Sequence, residues 1–229
     1  RTDHANTLDV LLAFVLAMMI ISGAMLMDVD RAQTEAVLQF FLIGMVIVMF
    51  GSAIVIGSYN MQQMVFPPKR YGIFLCHHKS GAGVLARYMK MVLSSHMSER
   101  VFLDSDELDN LAILFDIVVT DTKNLVVILT KQTLTRIWCA GEIATAVLSN
   151  VNVIPVACDD YEGTTRGFLD SLSTLWTHSQ MTEIGRLGVD MASIRSAYEA
   201  FKTIPEVVLR RDGDNVSFMK TIDEIISRS

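Results

Sequence analysis

The sequence predicts an α/β protein: a flavodoxin-like five-stranded parallel sheet with helices on both faces, preceded by a transmembrane α-helical hairpin. Three observations predict it. Two long apolar stretches stand near the N-terminus, the rest of the chain alternates short apolar runs with amphipathic segments, and the pair Pro67-Pro68 separates the two regimes.

Hydrophobic residues make up 51% of the 229-residue chain, and the mean hydropathy is +0.39, high for a soluble protein. The excess is concentrated. Val10 to Met27 carries no charge, and Ala36 to Tyr59 is interrupted only by Gln39, Ser52, Ser58 and three glycines. A helix needs about 20 mostly apolar residues to cross a hydrocarbon layer of ~30 Å, and neither stretch has the polar face of a soluble amphipathic helix. Spans are therefore expected at about 10–27 and 36–59, within an anchor covering 1–66. A signal peptide suits the first stretch poorly, since Asp3 and Asp9 precede it and the apolar run is long. No methionine opens the sequence, so Arg1 is expected to be an internal residue of a longer or processed chain.

Asp28 to Glu35 is short and polar, which reads as a connection and makes the two spans a hairpin. Both ends of a hairpin lie on one side of the bilayer. Lys69 and Arg70 follow the second span, whereas the connection holds one Arg among three acids. The positive-inside rule then places the domain at 67–229 in the cytosol or an equivalent compartment, with membrane lipid around the anchor.

Beyond the prolines, which cannot continue a helix, the elements follow in order. Residues 71–76 (YGIFLC) read as a buried strand, 77–83 (HHKSGAG) as a polar loop, and Val84 to Ser95 as a helix with Leu85, Tyr88, Met89 and Val92 on one face. Residues 100–104 read as a second strand, Leu111 to Val119 as a helix, 124–130 as a third strand, Thr135 to Leu148 as a helix and 152–158 as a fourth strand. The signal is weak from Asp159 to Gly188 apart from an apolar patch at Phe168 to Trp176. Asp190 to Lys202 reads as a helix, 206–211 as a fifth strand, and Asn215 to Ser227 as a last helix with Asn215 as its cap. Strands apolar throughout and separated by single helices signify a parallel sheet covered on both faces.

Several functions are excluded. Cys76, Cys139 and Cys158 have no paired spacing and no histidine at metal-ligand distance, so neither a disulfide framework nor a zinc site is expected, and no metal is assigned. The net charge of −6, without a basic stripe, argues against nucleic acid as a partner. Ser80-Gly81-Ala82-Gly83 makes neither a dinucleotide fingerprint nor a Walker loop. A phospho-receiver needs acids after its first strand and an aspartate after its third, where this chain has Cys-His-His and Leu-Thr.

Ligands of open α/β sheets bind beyond the carboxyl ends of the strands. There the first strand runs into His77, His78 and Lys79, and the second into Asp104, Ser105 and Asp106. The third precedes a helix bearing Trp138 and Glu142, which are i and i+4 and share a face. Glu142 sits among Gly141, Ile143 and Ala144, an apolar setting costly for a lone carboxylate; spacing alone favours the plainer reading, a surface glutamate at the helix edge beside a core tryptophan.

Residues 71 to about 160 resemble a TIR (Toll/interleukin-1 receptor-like) domain. YGIFLCHHKSGAGVLARYMKMVL resembles the family's first box, VFLDSDEL its second strand entering the BB loop, LVVILTKQTLTRIWCAGE its third strand and W-x-x-x-E helix, and NVIPV its fourth strand. The resemblance implies cleavage of NAD⁺ between nicotinamide and ribose, an activity of many TIR domains, with Glu142 as the catalytic residue. It places His77, His78, Lys79, Asp104, Ser105 and Trp138 near the nucleotide, and Asp106, Glu107 and Leu108 in a BB-loop-like segment for self-association. No cofactor is implied, NAD⁺ being the substrate. Two other readings stand beside the enzyme: a self-associating signalling module, and a non-catalytic accessory subunit of a larger membrane complex, for which Gly44, Gly51 and Ser52 offer close helix packing.

Overall fold

The computed structural model describes residues 13, 15–21, 23, 31–65, 68–104 and 113–229. The chain divides into two compact units, Arg1–Pro68 and Lys69–Ser229. In the first, helix α1 spans Arg31–Val65. It starts inside the expected connection because Arg31 to Glu35 holds good helix formers and neither glycine nor proline. Among the described residues one window is long and apolar enough to cross a membrane, Gln39–Gln62, with mean hydropathy 2.6 and none of it buried. Residues 15–21 are helical as well, but much of the expected first span at 10–27 lies outside the described residues, so two spans are not established.

The second unit follows the alternation read from the sequence. Its elements are β1 (Tyr71–Cys76), α2 (Lys79–His96), β2 (Arg100–Phe102), α3 (Leu114–Asp116, running into a π turn at Ile117–Asp121) and β3 (Thr122–Leu129). Then come α4 (Ile137–Leu148), β4 (Asn152–Cys158), α5 (Arg166–Leu175), α6 (His178–Gly185), α7 (Met191–Phe201), β5 (Val207–Leu209) and α8 (Asn215–Arg228). The strands form one sheet in the order β2-β1-β3-β4-β5, every pairing parallel. This is the flavodoxin-like order, whose strand order reverses beside β1.

Side chains of a strand alternate between faces, and that alternation builds two cores. Phe74, Cys76, Leu125, Val127 and Leu129 point to the face covered by α3 to α7. Ile73, Leu75, Val126, Ile128, Ile154 and Val156 point to the face covered by α2 and α8. At the amino end of the sheet, Asn124 Nδ2 donates to the Gly72 carbonyl at 2.8 Å and Asn124 Oδ1 accepts from Asn152 Nδ2 at 2.7 Å, tying three strands side by side.

The structure departs from the sequence reading in three further places. Helix α2 begins at Lys79 and absorbs the expected loop, because His78 serves as its N-cap and accepts the Gly81 N–H on Nδ1 at 3.2 Å. The weak region holds two short helices, each with a threonine cap: Thr165 before α5, and Thr177 with Gln180 in a capping box before α6. Asp214 rather than Asn215 caps α8, accepting the Ser217 N–H at 2.9 Å.

Candidate active site

The carboxyl ends of β1 and β2, with the helix that follows β3, deliver the candidate residues to one end of the sheet. Alternation turns Cys76, the last residue of β1, toward α4. His77 follows it into the interior and is 4% exposed. Its Nδ1 lies 3.8 Å from Asp104 Oδ1, too far for a hydrogen bond, and both atoms are buried without a partner. Burial lowers the His77 imidazole from its ordinary value against the opposing pull of Asp104. Lys79 approaches the other oxygen of Asp104 at 3.6 Å from a half-exposed position.

Glu142 projects from α4 into the same interior. It is 4% exposed, and its carboxyl is pushed up to about 8, first by burial and further by Asp104, against a hydrogen bond with Cys76 and the charges of Arg136 and Lys79. Glycine at 141 is required here, since a methyl at that position would overlap the Phe115 ring. Trp138, one turn earlier, is partly buried beside the core and stands 5.9 Å from Phe115, ring to ring.

A pocket of about 640 Å³ opens next to Trp138, lined by His78, Ser80, Arg136, Trp138, Trp176 and Gln180 among others. Its wall is fixed by two hydrogen bonds to the turn before α4. Trp176 Nε1 donates to the Thr135 carbonyl at 2.6 Å, and the buried Tyr198 hydroxyl donates to the Leu134 carbonyl at 2.8 Å. Thr133 braces the same turn by donating its hydroxyl to the Ile128 carbonyl at 2.8 Å.

The structure thus brings His77 and Lys79 to Asp104, leaves Glu142 within reach of the Asp104 and Lys79 charges, and sets His78 and Trp138 on the adjoining pocket. His78 has a structural duty as well, as the α2 cap. Ser105, Asp106, Glu107 and Leu108 lie outside the described residues. Sequence reasoning missed Cys76 and Cys139, which flank Glu142, and also Arg136, Trp176 and Tyr198. The tryptophan lay in a noted apolar patch, but no spacing linked it to Trp138.

No protein-family profile matches the chain, and no curated protein matches it. Among solved structures it is similar to the TIR domains of the activated Roq1 resistosome directly recognizing the pathogen effector XopQ, with 18% identity and a TM-score of 0.47, covering 69% of this chain and 98% of that one. It is also similar to a metazoan TIR-STING receptor from C. gigas in complex with 2',3'-cGAMP, with 17% identity and a TM-score of 0.43, covering 70% of this chain and 40% of that one.

Proposed function

We propose that this chain is a membrane-tethered TIR-like NAD⁺ glycohydrolase in which Glu142 is the catalytic residue. The observation that carries the reading is the burial of Glu142 where the charges of Asp104, Arg136 and Lys79 act on it, one helical turn from Trp138 and its pocket. Water adds to the anomeric carbon as the carbon–nitrogen bond to nicotinamide breaks. NAD⁺ and water give ADP-ribose, nicotinamide and a proton. The leaving group departs neutral and needs no general acid. What needs stabilising is a ribosyl cation, for which one carboxylate suffices.

Glu142 is buried and neutral-leaning on its own, so the proposal demands that substrate reach it from the adjoining pocket. A cationic nicotinamide ring brought against the carboxyl favours its ionised form. Trp138 and Trp176 offer flat faces to a ring, and Arg136 offers a fork for phosphate. The test is release of nicotinamide from NAD⁺ by the full chain reconstituted in vesicles. Release that Glu142→Ala abolishes supports the reading, and a wild-type chain that stays inert even at high surface density overturns it.

The self-associating module has one observation in its favour. Val84, Tyr88 and Met91 share a face of α2 at i, i+4 and i+7, and are exposed by 87%, 42% and 64%. Val216 of α8 is exposed as well. Val84→Arg should lower the yield of cross-linked dimers in vesicles, and an unchanged yield counts against that face.

A further inference from the structure

The structure assigns a metal-ion site to Cys76, Cys139 and Glu142, two sulfurs and a carboxylate oxygen whose chemistry fits zinc. Their ligand atoms all lie within 4.8 Å of one another. Among the described residues this is the one such cluster of three potential ligands. It draws on two rigid elements: Cys76 ends β1, while Cys139 and Glu142 are i and i+3 on α4 and therefore share a face. All three are buried, at 1%, 2% and 4% exposure.

The geometry needs little adjustment. Tetrahedral zinc with Zn–S bonds of about 2.3 Å and a Zn–O bond of about 2.0 Å sets the two sulfurs roughly 3.8 Å apart and each sulfur roughly 3.5 Å from the oxygen, so no pair has to close by more than about 1.3 Å. Thiolates select zinc or cuprous ions over magnesium or calcium, and the carboxylate shifts the choice toward zinc. Three protein ligands leave a fourth position for water or another ligand, the coordination of catalytic rather than structural zinc.

Charge also accommodates the ion. Two thiolates and a carboxylate around a dication leave a single net negative charge, and Lys79 and Arg136 both act on Glu142. In the protein alone Cys139 Sγ donates to the His77 carbonyl at 3.3 Å, and burial keeps the Cys76 thiol protonated. Metal binding would replace those protons, as it does wherever thiols become ligands. His77, which follows Cys76 in the chain and whose carbonyl accepts from Cys139, also carries a buried Nδ1 without a hydrogen-bond partner, the kind of outer-sphere group that orients ligands in metal sites. A disulfide between the two cysteines is the weaker alternative, because burial pushes the Cys76 thiol up and makes it a poor nucleophile.

The site stands independently of the hydrolase reading. Where that reading also holds, zinc occupies the Glu142 oxygen that the ribosyl cation requires, and so acts as an inhibitor.

The test is a titration of the full chain in detergent, reduced and stripped by chelator, with cobalt(II) followed by zinc(II). We expect one cobalt per chain, with a near-ultraviolet thiolate charge-transfer band and the intense visible bands of a tetrahedral ion, all abolished by zinc. Cys139→Ser and the near-isosteric Glu142→Gln should each weaken binding beyond the roughly 10–100-fold that loss of an outer-sphere partner costs. Cys158→Ser, which alters a buried cysteine outside the cluster, should leave it unchanged. Absence of the charge-transfer band in the wild type, or a band that survives both ligand substitutions, overturns the assignment. Neither result bears on nicotinamide release, so the two proposals fail separately.

Discussion

Replacing Gly141 by alanine isolates the contact that seats the Glu142 helix. In an exposed helix interior the change would stabilise by about 1 kcal/mol, since glycine is the poorer helix former. Here the three atoms nearest an added Cβ are all carbons of the Phe115 ring, and the overlap is far inside van der Waals contact. Phe115 is itself 4% exposed, so its ring cannot retreat into solvent without giving up core burial. Overpacking of this kind costs about 1–3 kcal/mol. An overlap this deep belongs at the top of that range, which leaves a net loss of about 2 kcal/mol. Phe115→Ala alone should cost about 3–5 kcal/mol through its cavity. In the double variant the clash is gone and the helix gain returns, so the loss should fall about 3 kcal/mol short of the sum. That coupling is well above the ~0.5 kcal/mol within which independent sites add. Urea unfolding of the full chain in detergent reports on it directly, because both tryptophans lie in the Lys69–Ser229 unit and Trp138 stands beside Phe115. Gly141→Ala as stable as the wild type, or single variants that add, would refute the reasoning.

Tyr198→Phe deletes the hydroxyl that satisfies the Leu134 carbonyl and should cost about 1–3 kcal/mol in the same unfolding assay, the range for a buried group left unpaired. Asp214, held below its ordinary 3.8 by the Ser217 hydrogen bonds, stabilises α8 in full above pH 3.8 and loses that contribution as pH falls through its lowered value. Amide exchange at Ser217 should therefore be faster in Asp214→Ala at neutral pH, with the difference from wild type vanishing in acid. Ile47→Arg places a charge near the middle of the Gln39–Gln62 window, a penalty of about 2.5–3.5 kcal/mol for insertion. Carbonate extraction should then release a larger fraction of the chain from membranes, and equal retention would argue that this helix does not cross.

The strands were legible because their composition carries a single meaning. A run such as LVVIL, apolar on both faces, has nowhere to go but the middle of a covered sheet, and alternation then decides which residue meets which helix layer. The helix entry at Lys79 was hidden because histidine is not among the usual N-caps, and Gly81 and Gly83 read as a loop. Yet Gly81 is small because Thr130 Oγ1 would stand 3.2 Å from an added Cβ, a tertiary contact that no local pattern encodes. The helices α5 and α6 are short, but their caps, Thr165 and Thr177 with Gln180, were readable signals. The Cys76–Cys139–Glu142 cluster was invisible for a different reason. Its members come from separate elements, and only the packing of α4 against the end of β1 makes them neighbours. The apolar surroundings of Glu142, by contrast, were plain from the residues on either side of it, and they are the main cause of its raised value.

Helix α1 carries a further consequence in its length. The 24 residues of its apolar window rise about 36 Å at 1.5 Å per residue, several ångströms more than the ~30 Å hydrocarbon of an average bilayer. A rod that exceeds its slab must lean, bend or thicken the slab around it, each at a fraction of a kcal/mol per ångström. In the thinner membrane of the endoplasmic reticulum that mismatch is larger, and in a sterol-rich plasma membrane it falls to about 3–4 Å. As a membrane helix, α1 would thus measure bilayer thickness and bias the chain toward the thickest membrane it meets.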